Sequence, residues 1–228
     1  VDFWAVRSRA AGSVLFKIDA PGNMKSSTNG RNGGVAWSAG DEVGDTSSTV
    51  RGLVTVDDNM YVPKDRALYR YSGSETTDLL QFNYFTTQNG RKAFVWTDSA
   101  IYVPYGDRLL RYAPLDGGNQ EGSYAYVYPP LATTGNPETT GAITAIAGDA
   151  LDMYLAVKNW VGNTYIMKGS PLTGAWHTWV YLGANDCNAL WVAGPGDVHS
   201  TNPVLVAGYG AAAVRFILPR AGYDPASD

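Results

Sequence analysis

The sequence contains one cysteine, Cys187, and two histidines, His177 and His199, among its 228 residues. A single cysteine cannot form an internal disulfide, so we expect packing alone to stabilise the fold, with Cys187 packed as a small apolar residue near a strand start. Neither histidine has a cysteine or histidine companion at the spacing of a zinc site. The sequence therefore indicates no metal.

Long apolar runs and basic clusters are also missing. No segment approaches the roughly 18 consecutive apolar residues of a membrane span, and no signal peptide is recognisable. The formal net charge is −4, and the lysines and arginines are scattered singly, which argues against nucleic-acid binding. The chain lacks an initiator methionine and begins with a strand-like segment at Phe3, so we expect a piece of a longer protein.

Motifs of enzymes and cofactor sites are missing as well. There is no G-x-S-x-G nucleophile motif, and Gly30 to Gly34 neither follows a strand nor opens a helix, as a nucleotide-binding loop would. The sequence predicts a protein without a cofactor and without enzymatic activity.

A repeat is the most informative feature that is present. Val56 to Tyr71 (VDDNMYVPKDRALYRY) recurs as Thr97 to Tyr112 (TDSAIYVPYGDRLLRY). The identical pairs are Asp57/Asp98, Tyr61/Tyr102, Val62/Val103, Pro63/Pro104, Leu68/Leu109, Arg70/Arg111 and Tyr71/Tyr112. A period of roughly 40 to 50 residues is typical of propellers, solenoids or arrays, in which one unit cannot bury its apolar face alone.

Each unit is predicted as a strand, an Asp-containing turn, a strand, a polar turn such as Lys64 to Arg66, a strand and an outer strand. Alternation in Leu68 to Tyr71 fits a half-buried strand. The predicted architecture is all-β, a single propeller domain of about five visible four-stranded blades. The units cover approximately residues 1–50, 51–90, 91–131, 141–185 and 186–228.

The propeller is expected to be incomplete. Phe3 to Arg7 and Val14 to Asp19 are predicted as the second and third strands of a unit whose first strand is missing. The last unit ends after Ala213 to Leu218 without a fourth strand.

Two segments fit the repeat less well. Gly22 to Thr49 is long and rich in Gly and Ser, and we expect one outer strand around Val35 to Ser38 between mobile loops. Residues 143–155 have apolar side chains at helical spacing, but Gly148 and Asp149 coincide with the Asp turn of the other units, so strand, turn and strand are preferred.

The unit with (I/M)YVP and L-x-R-Y strands resembles a β-propeller blade. Its sequence pattern resembles that of propeller domains in tail and fibre proteins of tailed bacteriophages. That resemblance implies a structural role in a virion. Ser170 to Trp179 (SPLTGAWHTW) is faintly similar to the S-x-D-x-G-x-T-W turn of sialidase propellers, but Leu172 replaces the Asp and Trp176 the Thr.

The repeated charged residues allow two interpretations. Asp57, Asp98 and Asp149 could bind a cation or a sugar, but an Asp that recurs in each unit is better explained as a turn-forming residue. A glycosidase needs unlike carboxylates placed once. Arg70 and Arg111 could bind acidic sugars, or could pack over a neighbouring blade and pair locally.

Aromatic residues at predicted turns and unit edges are the remaining lead. Trp4, Trp37, Tyr105, Trp160, Trp176 and Trp179 could contact sugar rings or a protein, or could cap the packing between blades. The candidate ligand-binding residues are Trp37, Tyr105, Trp160, Trp176, Arg70 and Arg111.

Together these features predict a non-enzymatic structural and recognition module of a larger assembly. The preferred setting is a phage tail or fibre, in the virion or outside the cell. Its partners would be other subunits and cell-surface glycan, without nucleic acid or membrane insertion. The alternatives are a carbohydrate-active propeller enzyme of glycosidase or lyase type and a soluble protein-binding adaptor.

Overall fold

A computed structural model describes most of the chain. The described residues are 4–9, 12–19, 22–28, 36–56, 59–65, 67–71, 76–81, 93–114, 123–128, 141–193, 204–210 and 212–217. All regular structure in these ranges is β-strand. The chain divides into two compact units, unit 1 (Val1–Pro129) and unit 2 (Pro130–Asp228).

Unit 1 contains three antiparallel sheets in its described part, each of four strands in sequence order. Sheet 1 holds β1 (Trp4–Arg9), β2 (Gly12–Ile18), β3 (Asn23–Ser27) and β4 (Asp41–Glu42). Sheet 2 holds β5 (Val54–Val56), β6 (Asn59–Pro63), β7 (Ala67–Tyr71) and β8 (Thr76–Gln81). Sheet 3 holds β9 (Phe94–Val95), β10 (Ile101–Tyr105), β11 (Arg108–Ala113) and β12 (Ser123–Tyr128). First strands are neighbours, since β1 contacts β5 and β5 contacts β9.

The described part of unit 2 contains two further antiparallel sheets. Sheet 4 holds β13 (Gly141–Gly148), β14 (Met153–Asn159), β15 (Thr164–Ser170) and β16 (Ala175–Gly183). Sheet 5 holds β17 (Cys187–Ala193), β18 (Val204–Tyr209) and β19 (Ala212–Ile217), and its described part has three strands. The predicted all-β propeller class is confirmed, whereas the single domain stays a prediction.

Strands predicted from the repeat match those observed. In sheet 2, β7 has the predicted bounds, and β6 begins one residue before the predicted Met60. The helical spacing in residues 143–155 does not produce a helix, because β13 and β14 pair in antiparallel register from Gly141↔Asn159 to Gly148↔Met153. Strand pairing between neighbouring segments has overridden the local periodicity.

The prediction for sheet 1 is wrong in its strand assignment. The segments predicted as second and third strands are the first and second, β1 and β2. The third and fourth strands, β3 and β4, lie inside Gly22 to Thr49, and residues 36–38 form no strand. β3 (NMKSS) buries chiefly Met24 and Ser27, and β4 has only two residues, so neither shows the apolar alternation that marks a strand.

Apolar side chains between neighbouring sheets form the core of unit 1. Phe16 and Met24 of sheet 1 pack with Met60, Val62 and Tyr71 of sheet 2. A second cluster joins sheets 2 and 3. Its members are Val56, Tyr61, Leu68, Ile101, Val103, Leu110 and Tyr112. Neighbouring sheets therefore bury apolar faces against each other, as the repeat predicted.

The core of unit 2 lies between sheets 4 and 5. It contains Tyr154, Ile166, Cys187 and Leu205, with Trp179 packed against it. Cys187 is fully buried at the first position of β17, in agreement with the packing role expected for it. The hydroxyl of Thr144 on β13 donates to the Cys187 carbonyl at 2.6 Å, which ties the two sheets together.

Candidate functional site

The repeated aspartates form turns. Asp98 Oδ1 accepts the Ala100 N–H at 3.1 Å, two residues on. Asp149 Oδ1 accepts the N–H groups of Leu151 at 2.7 Å and Asp152 at 3.0 Å. The turn-forming interpretation is confirmed for these two residues, while Asp57 lies outside the described residues.

The second carboxylate oxygen accepts a hydrogen bond from a tyrosine of the strand that follows the turn. The Tyr102 hydroxyl donates to Asp98 Oδ2 at 2.9 Å, and the Tyr154 hydroxyl donates to Asp149 Oδ2 at 3.3 Å. Burial, strengthened by the bond to Asp98, raises the pKa of Tyr102 well above its usual value. Tyr102 therefore remains a neutral donor inside the scaffold.

Arg111 completes the cluster in sheet 3. Its Nε lies 3.0 Å from Asp98 Oδ2 and 3.1 Å from the Tyr102 hydroxyl, and its Nη2 lies 2.9 Å from the same carboxylate oxygen. Arg70 has the equivalent position on β7, opposite Tyr61. Arg111 thus shows the local pairing considered as the alternative, and ligand binding by either arginine stays a prediction.

Lys64 is a buried charge that the sequence did not reveal. It belongs to a segment predicted as a polar turn, yet its side chain is fully buried. Its ammonium donates to the carbonyl oxygens of Val43, at 2.7 Å, and Asp45, and lies 5.6 Å from the centre of the Tyr69 ring. Burial lowers the pKa of Lys64. Lys64 holds residues 43–50 against sheet 2, so its role is structural.

Two of the candidate aromatics, Trp37 and Trp176, are half-buried against the sheets, and Tyr105 is placed here by its strand position alone. Trp37 is half-buried, with the Lys17 ammonium 4.7 Å from its ring centre. Trp176 is half-buried at the start of β16 and covers Gly169, where an added Cβ would lie 2.7 Å from its Cε3 atom. Tyr105 is the last residue of β10 and pairs with Arg108.

Trp160 differs, because it projects into solvent from the turn between β14 and β15. Its exposed fraction is 78%, and that of the adjacent Val161 is 77%. The buried Asn159 holds the turn, since its Oδ1 accepts the N–H groups of Val161 at 3.1 Å and Asn163 at 2.9 Å. Gly162 supplies the positive φ of 91°. A rigid turn therefore displays two adjacent apolar side chains.

Several polar groups at this end of sheet 4 are paired with one another, although the buried Thr164 Oγ1 is not. The Tyr181 hydroxyl donates to Asn163 Oδ1 at 3.3 Å, and the Tyr181 ring lies 5.1 Å from that of Tyr165. Lys158 forms an ion pair with Asp186. We call Trp160, Val161, Tyr181 and the Lys158–Asp186 pair the tip end of sheet 4. Sequence reasoning found Trp160 but missed Val161 and Tyr181, because their exposure depends on packing.

Exposed apolar side chains concentrate on this sheet. The large hydrophobic residues that the described chain exposes are Leu151, Trp160, Val161, Leu172, Tyr181 and Trp191. All but Trp191 belong to sheet 4 or its turns. Adjacent exposed side chains, such as Trp160 and Val161, mark interaction surfaces more often than scattered ones do.

Among the described residues, no group of three or more His, Cys, Asp and Glu side chains is placed to hold a metal ion. Nor does the described part of the chain contain a helix long and apolar enough to cross a membrane.

Comparisons with known proteins extend to structure only. No protein-family model matches the sequence, and no curated protein matches it. The extracellular domain of a protein assigned as a one-component system of B. thetaiotaomicron is 18% identical over 89% of this chain, with a TM-score of 0.59. The structure of a nidogen/laminin complex is 17% identical over 90% of the chain, with a TM-score of 0.55. BBS1N in complex with ARL6DN is 18% identical over 95%, with a TM-score of 0.57.

The matching structures contain β-propeller domains, and the likeness shows the fold alone. The chain spans 24% of the B. thetaiotaomicron chain, 73% of the matched chain in the nidogen/laminin complex and 65% of that in the BBS1N complex.

Proposed function

We propose that this chain is a non-enzymatic recognition module of a larger assembly, which contacts another protein through the tip end of sheet 4. The exposed Trp160–Val161 pair on a hydrogen-bonded turn is the observation that carries the proposal. A backbone turn that is already ordered by its hydrogen bonds loses little conformational entropy on binding. Tryptophan is also among the residues that contribute most to protein interfaces.

The chemistry of the tip end favours a protein over a glycan. Sugar recognition needs polar side chains that can bond the hydroxyl groups of the ring as well as an aromatic surface. Here the Asn159 oxygen accepts two backbone N–H groups, the Asn163 oxygen accepts from Tyr181, and Lys158 pairs with Asp186. The surface left for a partner is mainly apolar, and an apolar pocket on a protein complements it.

The structural neighbours are compatible with such a role. One belongs to a nidogen/laminin complex, one is bound to ARL6DN, and one is an extracellular domain. These are properties of those proteins. They support the proposal because they show this fold in proteins that contact other proteins.

The larger assembly to which the chain belongs is a separate part of the proposal. We propose a tail or fibre of a bacteriophage, with glycan contact through Trp37, Tyr105 or Trp176. This part is supported only by the sequence pattern of the repeat and by these aromatic residues. The carbohydrate-active alternative would require carboxylates available to substrate. Asp98 and Asp149 are instead bonded within their own turns.

Photo-crosslinking tests the proposal. A benzophenone amino acid would replace Trp160 in the protein expressed in its native source. The control places it at Asp107, whose side chain is 51% exposed on a turn of sheet 3. We expect a discrete protein adduct from position 160 that position 107 does not give. Identical adducts from both positions would contradict the proposal. So would binding to a glycan panel that Trp160→Ser abolishes.

A further inference from the structure

One lysine of the described chain has a different environment from the others. The four that form an ion pair with an aspartate or donate to backbone carbonyls are Lys25, Lys64, Lys158 and Lys168. Within the described ranges Lys17 makes neither contact, and its ammonium lies 4.7 Å from the centre of the Trp37 ring. An aromatic ring attracts an ammonium but carries no net charge. The positive charge of Lys17 therefore has no ionic partner among the described residues.

A second lysine lies directly opposite Lys17 in sheet 1. The antiparallel register of β2 and β3 pairs Lys17 with Lys25, and both side chains are half-buried. Side chains paired in this way lie on one face of the sheet, with Cβ atoms about 4.5–5.5 Å apart. Like charges in such a pair destabilise a sheet. Sheet 1 thus holds two cations side by side at a cost in stability.

Among the described residues, one carboxylate pairs with these two lysines. Asp19 Oδ2 lies 3.1 Å from the Lys25 ammonium. Glu42 is one strand farther from Lys17, opposite Asn23 on β3, and forms no ion pair with either lysine. The two lysines and Asp19 carry two positive charges against one negative charge, a net charge of +1, in a chain whose net charge is −4.

Trp37 is held in place beside the lysines. The Ser38 N–H donates to the Ser26 carbonyl at 2.9 Å, and Ser38 Oγ accepts the Ser26 N–H at 2.9 Å. These two bonds fix the residue that follows Trp37 against β3. The half-buried indole therefore has a defined position, and it positions the Lys17 ammonium in turn. We call this cluster the lysine site, and its members are Lys17, Lys25, Asp19 and Trp37.

We propose that the lysine site binds the carboxylate of an acidic sugar. The carboxylate would lie between the ammonium groups of Lys17 and Lys25 and would supply the second negative charge. The sugar ring would lie against the part of the Trp37 indole that Lys17 does not cover. The inference rests on the glycan contact through Trp37 in the proposed function, for which it names the ligand class. It does not depend on the tip end of sheet 4.

The charge and the hydrogen-bonding groups of the site favour this class of ligand. One unmatched positive charge suits a single carboxylate better than a neutral sugar or a doubly charged phosphate. Each ammonium has three donors, of which Lys25 uses one for Asp19, so donors remain for the carboxylate and for ring hydroxyls. The Asp19 side chain is 32% exposed and can accept from a hydroxyl. The lysine site thus offers the polar contacts that sugar recognition requires.

Calorimetric titration with four small probes tests the ligand class. The probes are glucuronate, glucose, acetate and a capped Gly-Glu-Gly tripeptide, used at low ionic strength, where charges are least screened. Glucuronate combines the ring and the carboxylate and should bind most tightly. Glucose lacks the charge and acetate lacks the ring, so each should bind at least about tenfold more weakly. The tripeptide presents the same carboxylate on a protein-like chain and should also bind more weakly.

Variants of the lysines test the location. Lys17→Met and Lys25→Met should each weaken glucuronate binding at least about tenfold, the equivalent of about 1.4 kcal/mol. Lys17→Arg retains the charge and should retain most of the affinity. Lys168→Met is the matched control, because the Lys168–Asp152 ion pair has the same 3.1 Å distance as Lys25–Asp19, and it should bind as the wild type does. Thermal unfolding midpoints check that every variant is folded.

Several results would overturn the inference. Equal affinity for glucose and glucuronate would do so, as would unchanged binding by Lys17→Met or an equal loss in Lys168→Met. Tighter binding of the tripeptide would indicate that a protein carboxylate is the ligand.

The two proposals fail in different ways. If glucuronate does not bind while photo-crosslinking at position 160 captures a protein, protein contact stands and the lysine site is wrong. If glucuronate binds through Lys17 and position 160 captures nothing, the lysine site stands and contact through the tip end is wrong. Glucuronate binding that Trp160→Ser abolishes and Lys17→Met retains would contradict both.

Discussion

Tyr102 donates its hydroxyl proton to Asp98 Oδ2 at 2.9 Å, four residues earlier in the same repeat. The two residues belong to the repeat that the sequence shows twice, and Tyr154 and Asp149 make the corresponding bond in sheet 4 at 3.3 Å. The most recognisable part of the sequence therefore forms a side-chain hydrogen bond that connects a turn to the strand that follows it.

Removal of this hydroxyl should lower stability. Tyr102→Phe leaves the Asp98 carboxylate with one fewer donor in a partly buried site, and we expect the free energy of unfolding to fall by about 1–2 kcal/mol. Urea denaturation measures the change. Tyr154→Phe is the matched comparison and should lose less, because its bond is longer. An equal or larger loss for Tyr154→Phe would contradict the stabilising role assigned to the Tyr102–Asp98 hydrogen bond.

The same bond predicts a dependence on alkaline pH. An unfolded tyrosine has a pKa of about 10, whereas the folded pKa of Tyr102 is raised, chiefly by burial and then by its bond to Asp98. Above pH of about 10 the unfolded chain loses this proton while the folded chain retains it, so the free energy of unfolding falls as pH rises.

The stabilisation that Tyr102 provides is fully present below that pH. The slope is at most about 1.4 kcal/mol per pH unit for one group. The difference in unfolding free energy between wild type and Tyr102→Phe should therefore shrink between about pH 9 and 11, because phenylalanine does not titrate. Denaturant titrations across this range would detect it, and a difference that stays constant would show that Tyr102 titrates normally.

Replacement of Lys64 should release residues 43–50. Lys64→Met retains an apolar side chain but removes the donor to the Val43 and Asp45 carbonyls, and we expect a loss of about 1–3 kcal/mol. Hydrogen exchange should become faster at Val43, whose N–H bonds to the Gly22 carbonyl.

Lys25→Met is the control, since the Lys25–Asp19 ion pair is partly exposed and should contribute less than about 1 kcal/mol. Exchange at Val43 that is unchanged in Lys64→Met would show that other contacts hold the segment.

Alanine substitutions at two glycines distinguish the free-energy cost of backbone strain from that of a steric clash. Both have positive φ, 56° at Gly44 and 69° at Gly174. A Cβ at Gly44 would lie 2.2 Å from Tyr69 Cε1, while a Cβ at Gly174 would meet nothing within 4 Å. Gly174→Ala should cost about 1–2 kcal/mol from the left-handed conformation alone.

Gly44→Ala adds a clash with the buried Tyr69 ring and should cost about 1–3 kcal/mol more. Chemical denaturation of the two variants measures the difference. Equal losses would mean that Tyr69 moves aside freely.

The fold was predictable where local chemistry repeats. The alternation in Leu68 to Tyr71 and its copy at Leu109 to Tyr112 placed strands β7 and β11, because one residue in two must face the core. Sheet 1 was assigned wrongly because β3 is polar and β4 has two residues. β3 and β4 form because they pair with β2 and with each other. Such pairing produces no hydrophobic periodicity in the sequence.

The candidate site shows the same division. Trp160 was found because an aromatic residue near a predicted turn is visible in the sequence, but Trp37 and Trp176 met that criterion equally. The difference arises from what covers each ring: Lys17 lies over Trp37 and Trp176 rests on Gly169, whereas Trp160 is 78% exposed. Burial depends on neighbours remote in the chain, which residue type and spacing do not encode.

By itself, the sequence determined the repeat, the all-β propeller class and the turn-forming role of its aspartates, because each follows from local hydrogen bonding and from alternation along a strand. Only the tertiary structure decided which side chains are covered. Strand pairing and sheet packing bury Lys64, which its sequence context marked as a turn residue. The same packing leaves Trp160 and Val161 exposed at the tip end of sheet 4, and it is there that a partner is proposed to bind.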